Sequence, residues 1–282
     1  MDLGRLRLRL ISDGTFGLDG GAMFGVVPKP LWEKSTPADE RNRIRMATNC
    51  LLVESGSELV LVDTGIGDKV DARFRELYAM DPAARRLPES LADAGYEPGD
   101  VTQVLLTHLH FDHCGWSTRR VEGALAPTFP RARYWIERGE VAHARSPNER
   151  DRASYFPENW EPLFAAGVVE LFDAEAEVAG GVRAVKAPGH NADMCLVTLD
   201  GGDGERGVYW ADLVPTAAHV PYPWIMGYDL YPLTTLESKK KWLPRAAAEG
   251  WLCVFEHDPR TPFAKLVEES PGRFRARPVA AG

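Results

Sequence analysis

Three imidazoles and one carboxylate fall within six consecutive positions of this sequence. They are His108, His110, Asp112 and His113. Imidazole nitrogens and carboxylate oxygens together suit Zn, Fe, Mn or Co. A lone histidine is usually an ordinary surface or core residue, whereas several ligand types at this spacing form a specific signal. The segment therefore predicts a metal site.

The apolar run at residues 101–106 lies directly before this cluster and must position it. The run is continuous and rich in Val and Leu, which is typical of a short buried strand. His108 and His110 are two positions apart, so both imidazoles face the same way in an extended segment. Asp112 and His113 follow where the chain turns, and we expect them to approach from another side.

Three later segments also end in candidate ligands. His190, Asp212 and His257 each follow an apolar run that predicts a strand. Ligands gathered from several strand ends form a site at one edge of a sheet. No internal repeat or linker divides the chain, so residues 1–282 are expected to form a single domain.

Two stretches rich in Gly or Pro complete the predicted elements around this site. Residues 13–46 are interpreted as a long, partly apolar loop, and such loops tend to be functional, so we expect it near the active site. Residues 68–95 are predicted to be mixed helix, broken at Pro82 and Pro88, and residues 236–249 form a predicted helix bent by a proline.

The full pattern resembles the metallo-β-lactamase superfamily. It comprises H-x-H-x-D-H at 108–113, a Pro-Gly-His, an Asp after an apolar strand, a late His, and Val62-Asp63-Thr64-Gly65 at an earlier strand end. The resemblance implies an α/β fold, a four-layer αββα sandwich of two mixed β-sheets flanked by helices. It also implies two divalent ions bridged by Asp212, zinc being expected, with Fe, Mn or Co open. The implied ligands are His108, His110 and His190 for one ion, and Asp112, His113 and His257 for the other.

Details favour some members of that superfamily over others. The commonest β-lactamases carry Cys where this chain has Asp212, and flavodiiron oxygen reductases usually carry Glu at the place of His110. Glyoxalase II adds a helical domain, for which the 25 residues after His257 are too few. What remains resembles compact hydrolases, namely acyl-homoserine lactonases and methyl parathion hydrolase. One departure is Ala211, where Gly is commoner, and it does not remove the ligand that follows.

The resemblance implies a hydrolase in which a hydroxide bridging the two ions is the nucleophile. Asp212 sets the distance between the ions, and Asp112 is a ligand that could also pass a proton to the leaving group. Asp63 has two open readings. It orients a ligating histidine through the second ring nitrogen, or it only caps a strand end.

Composition restricts the partners and the compartment. The formal net charge of −8 argues against binding of nucleic acid, which requires a basic face. The four cysteines are far apart without a C-x-x-C pair, which fits a reducing cytoplasm. The N-terminus alternates Leu and Arg instead of showing an apolar signal segment, and no run is long enough to span a membrane. We expect a cytoplasmic protein that binds a small molecule and could form a homodimer.

Apolar residues near the site suggest the substrate. Met23 and Phe24 lie in an apolar stretch, His219 follows Asp212 by seven positions, and Trp224 lies in the next Pro-rich loop. These four are the candidate substrate contacts, whereas His143 is interpreted as a surface residue. Metals below apolar walls suit a lactone or another carboxylic ester with an apolar part. A phosphotriester hydrolase and a non-catalytic or redox metal protein are the alternatives.

Overall fold

The computed structural model describes residues 1–81, 83–84 and 86–280. The described part of the chain forms sixteen strands, β1 to β16. In chain order they are Asp2–Leu3, Leu6–Asp19, Arg43–Ser55, Glu58–Val62, Gln103–Leu105, Thr118–Val121, Ala124–Pro127, Arg133–Glu137, Val169–Phe172, Glu175–Ala179, Val182–Lys186, Cys195–Gly202, Glu205–Tyr209, Leu252–Val254, Phe263–Ser270 and Arg273–Pro278.

The same described residues form eight α-helices, α1 to α8. In chain order they are Gly20–Phe24, Lys29–Trp32, Ala72–Leu77, Leu87–Asp93, Phe111–Cys114, Arg138–Arg145, Glu161–Ala165 and Pro232–Ala248. None of them is long and apolar enough to cross a membrane.

The strands form two seven-stranded sheets and a small hairpin of β6 and β7. The first sheet has the order β1-β2-β3-β4-β5-β8-β9, and the second has the order β10-β11-β12-β13-β14-β15-β16. Both are mixed, because β4, β5, β8 and β9 pair in parallel, as do β13 and β14, while the other neighbours are antiparallel.

Alternation along the strands separates the layers. In β3, Leu51 packs in the core shared with the second sheet, whereas Leu52 faces the opposite side with Leu91 of α4. Trp242 and Leu243 of α8 pack on the second sheet. Because neighbouring strand residues point to opposite faces, each sheet contacts the other sheet on one side and helices on the other. The predicted αββα sandwich is confirmed.

The prediction of a loop over residues 13–46 is wrong for much of that stretch. Strand β2 continues to Asp19, β3 already begins at Arg43, and α1 and α2 lie between them. Gly14 has φ +92°, and the register of β2 against β3 shifts between Ser12 and Thr15. The glycine thus marks a bulge inside a strand rather than the start of a loop.

The prediction that Pro88 breaks a helix is wrong. Pro88 lies in the first turn of α4, where proline is well tolerated, so it begins this helix instead of breaking one. The predicted break at Pro82 lies outside the described residues. Helix α8 continues through Pro244. It extends from Pro232 to Ala248 and so begins four residues earlier than predicted.

Candidate metal centre

The seven predicted ligands meet at one edge of the two sheets. Four of them follow β5 on the loop 108–113, and His190, Asp212 and His257 follow β11, β13 and β14. All seven residues are at most 8% exposed. The structure therefore brings together every residue predicted to bind metal.

The ligand atoms form two groups that could each hold one ion. One consists of His108, His110, His190 and Asp212, and the other of Asp112, His113 and His257; within each group the ligand atoms lie within 4.8 Å of one another.

Asp212 reaches both groups, and its Oδ2 lies near imidazoles of each, because this oxygen is also 3.6 Å from Nε2 of His113. Its Oδ2 lies 3.2 Å from Nε2 of His190 and 3.8 Å from Nε2 of His108. Its Oδ1 lies 3.2 Å from Nε2 of His257. One carboxylate therefore lies between two sets of imidazoles, as a bridging ligand would.

Several imidazoles are held so that one nitrogen remains for a ligand role. Nδ1 of His257 donates to the Ala47 carbonyl at 2.8 Å, and Nδ1 of His190 lies 3.0 Å from Asp229 Oδ1. Nε2 of His108 is buried without a hydrogen-bond partner among the described residues. A buried nitrogen without a hydrogen-bond partner lowers the stability of the fold unless it binds something else. These residues therefore fit a pair of bound cations.

Charge in the cluster also suits cations. Burial and the neighbouring imidazoles hold the pKa of His108 and of His110 well below the usual range. Both imidazoles are therefore neutral and can each offer a nitrogen lone pair to a cation. Burial alone would raise the pKa of Asp212, yet the surrounding histidines hold it well below its usual range. Burial opposes protonation of His257, but Asp212 raises its pKa to about 9. The site thus favours positive charge beside an ionised carboxylate.

His113 has one carboxylate that hydrogen-bonds to it, that of Asp63, and a second carboxylate in close contact, that of Glu256. Its Nδ1 lies 3.0 Å from Oδ2 of Asp63 and 2.9 Å from Oε2 of Glu256. Asp63 also accepts from the backbone N–H and the hydroxyl of Thr107, both at 2.8 Å, which fastens the loop. Sequence reasoning included Asp63 but missed Glu256, although it directly precedes His257.

Asp229 and Glu140 were also missed by sequence reasoning. Asp229 contacts His190, and its other oxygen accepts from Thr235 of α8 at 2.6 Å. Glu140 of α6 accepts from the N–H of Leu109 and from the side chain of Asn191, both at 2.8 Å. Burial raises the pKa of Glu140 to about 7. Asp229 does not follow a strand, and Glu140 follows β8 but lies inside helix α6, so the sequence marked neither of them as a ligand at a strand end.

A cavity of about 360 Å³ opens above the ligands. Of the four predicted substrate contacts, only Met23 lines it. Its other apolar lining includes Leu18, Phe111, Met226 and Leu230.

The other three predicted contacts lie behind the cavity wall. Phe24 is fully buried and stacks on His219, with ring centroids 4.6 Å apart. Nε2 of His219 donates to the Met23 carbonyl at 2.8 Å, and burial lowers the pKa of this histidine to about 4. Trp224 packs edge-on against Phe24, at 5.6 Å. These residues support the wall through Met23 instead of forming its surface.

The prediction that His143 is a surface residue is wrong. Its side chain is 23% exposed, and its Nε2 lies 2.5 Å from Oδ2 of the buried Asp151. Asp151 lines the cavity, so the polar helix α6 turns one histidine inward.

Ala211, directly before Asp212, has a backbone conformation that favours glycine. It has φ +46°, in the left-handed region that carries a penalty for residues with a Cβ atom. The short turn Ala211–Leu213 places the Asp212 carboxylate between the imidazoles. This chain tolerates the strain and keeps the ligand in position.

Known proteins resemble the chain over most of its length. The model of the metallo-beta-lactamase superfamily matches residues 43–257. A probable metallo-hydrolase of Mycobacterium tuberculosis is 28% identical over 208 residues, covering 64% of this chain and 63% of that protein. An N-acyl homoserine lactonase of Bacillus cereus is 27% identical, covering 53% of this chain and 57% of the lactonase. The chain thus spans less than two thirds of the length of these curated relatives.

Solved structures share the complete fold. A probable metal-dependent hydrolase from Staphylococcus aureus superimposes with a TM-score of 0.89 at 27% identity, covering 100% of both chains. The dizinc quorum-quenching lactonase AidC, in complex with a product, superimposes with a TM-score of 0.82 at 24% identity, covering 99% of this chain and 96% of that one. At that identity, the second similarity concerns the fold alone.

Proposed function

Because the chain belongs to the metallo-beta-lactamase superfamily, we propose that it is a metal-dependent hydrolase of lactones or other carboxylic esters with an apolar part. The observation that carries this proposal is the position of Asp212, whose carboxylate lies 3.2 Å from an imidazole in each of the two ligand groups, below a partly apolar cavity. Relatives named metallo-hydrolase and lactonase support it.

The seven ligands would hold two divalent ions, for which zinc is our first proposal. When bound, such ions lower the pKa of a coordinated water and polarise the oxygen of the bond that is attacked. Asp212 would hold the two ligand groups at a constant distance. Asp112 lines the cavity, and we assign it the transfer of a proton to the leaving oxygen.

The apolar part of the cavity wall favours an uncharged segment in the substrate. Met23, Phe111 and Met226 present thioether and aromatic surfaces beside the ligands. Burying each methylene of a substrate chain against such surfaces contributes about 0.8 kcal/mol. We therefore expect longer acyl chains to bind more tightly until the cavity is filled.

Kinetics on matched lactones with growing acyl chains test this function. We expect kcat/KM to rise with chain length and to exceed the values for neutral phosphotriesters. Phosphotriesters that react far better than every lactone would contradict the ester assignment. Protein with two bound ions that turns over neither class would favour a non-catalytic role.

The cytoplasmic location and the possible homodimer stay predictions. Light scattering of the purified protein measures the mass of the particle against the 31.2 kDa of one chain. Fractionation of cells that produce the protein from its own gene tests the location.

A further inference from the structure

The cavity contains polar groups that the proposed reaction does not use. Arg150, Tyr78 and Tyr228 line it together with the metal ligands. Among the described lining residues, Arg150 carries the only lysine or arginine side chain. A cation at this place is notable in a chain whose formal net charge is −8.

Arg150 is exposed, makes one hydrogen bond and keeps most of its donors. Its Nη2 donates to the Gly227 carbonyl, which joins two loops at the cavity. The adjacent Asp151 also lines the cavity, but its Oδ2 is bound to His143. Within the described part of the chain, the guanidinium has no other hydrogen-bond acceptor and no ion-pair partner. A guanidinium has five N–H donors, so several are available to a ligand.

The two phenols add further donors to the same wall. Tyr228 directly follows Gly227, and the Tyr78 ring packs 5.4 Å from that of Phe111. Neither hydroxyl has a hydrogen-bond partner among the residues that the structure describes. Burial raises the pKa of Tyr228 to about 12, so this phenol keeps its proton at neutral pH.

We infer that Arg150, Tyr78 and Tyr228 form a polar subsite for an oxygen acceptor on the substrate, remote from the ester bond that is cleaved. A carboxylate is the preferred group and an amide carbonyl the weaker one, because the planar guanidinium matches a carboxylate with two parallel hydrogen bonds. This inference rests on the proposed function, since it defines the substrate of the same cavity. The substrate is then an ester with both an apolar segment and a distal acceptor.

Three esters with the same reacting group and chain length test the subsite. Their chains end in a carboxylate, a primary amide or a methyl group. For the parent enzyme with its ions bound, we expect kcat/KM to be roughly 10- to 100-fold higher for the carboxylate than for the methyl ester, with the amide between them. In Arg150→Met this ratio should fall towards one. Tyr228→Phe and Tyr78→Phe should lower it by smaller factors.

Arg152→Met is the matched control, because Arg152 is exposed in the same loop and does not line the cavity. It should keep the ratio of the parent. Equal kcat/KM for the three esters in the parent, an unchanged ratio in Arg150→Met, or the same loss on all three esters in that variant would overturn the subsite. Failure of the parent on all three esters contradicts the proposed function instead, and elemental analysis of each variant separates both results from loss of metal.

Discussion

The two halves of the metal centre are built in different ways. Four ligands lie on the single segment 108–113, a loop that continues into helix α5, whereas His190, Asp212 and His257 arrive separately from the second sheet. The loop half is shaped by local backbone geometry, because its ligands are separated by at most five positions. The other half exists only where the second sheet packs against the first.

Hydrogen bonds between the sheets keep the halves in register. The Thr107 carbonyl accepts from the N–H of Cys195 at 2.9 Å, and the N–H of Ala47 donates to the His257 carbonyl at 3.1 Å. Glu140 connects the loop half to Asn191, the neighbour of His190. The contiguous motif alone is therefore half of the site, and buried backbone contacts complete it.

Removal of the metal should have the largest effect, because both halves serve the same chemistry. Protein purified without chelator and kept in excess metal should contain two ions per chain, and chelation should abolish ester hydrolysis until ions are restored. Elemental analysis and kinetics measure this. A content that never exceeds one ion per chain would contradict the use of both ligand groups.

Asp212→Ala should remove the carboxylate that contacts both ligand groups. We expect kcat/KM to fall by more than about 1,000-fold, because the variant loses the ligand shared by both groups and part of its metal. Circular dichroism should show that the fold is retained. Asp173→Ala is a control with a 72% exposed carboxylate and should behave as the parent does. Similar kcat/KM values for Asp212→Ala and Asp173→Ala would contradict the role of Asp212 as a ligand shared by both groups.

Substitution of the carboxylates beside His113 and His190 should weaken metal binding in each half separately. Glu256→Gln acts on His113 in the loop half, and Asp229→Asn acts on His190 in the other half. Each should weaken metal affinity by about 10- to 100-fold, because the imidazole loses a partner that orients it. Competition with a chelating dye measures the affinities. Unchanged affinity in both variants would limit these acids to a structural role.

His219→Ala should change the cavity wall without touching either half. It removes the hydrogen bond to the Met23 carbonyl, so we expect KM to rise by roughly three- to tenfold, about the worth of one buried hydrogen bond. Metal content should match the parent. Kinetics on short and long acyl chains show whether the wall is involved, and kinetics unchanged for every chain would contradict this role.

Ala211→Gly should have the smallest effect. Glycine adopts φ +46° without the Cβ penalty, so the free energy of unfolding should rise by about 1 kcal/mol, while kcat/KM stays within twofold. Urea unfolding followed by fluorescence measures the change. A destabilised Ala211→Gly variant would show that the methyl group contributes more through packing than it costs in strain.

The sequence by itself determined the candidate ligands and the fold class. Spacing within 108–113 and ligands at strand ends are local properties, and the resemblance to a known pattern ordered them into two groups. The strand predicted at residues 182–186 agrees with β11 as the structure has it. Prediction failed for residues 13–46 because Gly14 marks a bulge, and a glycine in a bulge looks the same in sequence as one in a loop.

Only the tertiary structure decided which side chains reach the cavity. Phe24, His219 and Trp224 are close to cavity residues in sequence, yet Phe24 stacks on His219 and contacts Trp224 edge-on behind Met23. Glu140, Asp229 and Glu256 support ligands that are distant in the chain or lie on another element. Arg150 reaches the cavity because its loop is tied to Gly227, a contact across 77 positions. Such contacts depend on how the two sheets and their loops pack, so a local pattern of residues cannot predict them.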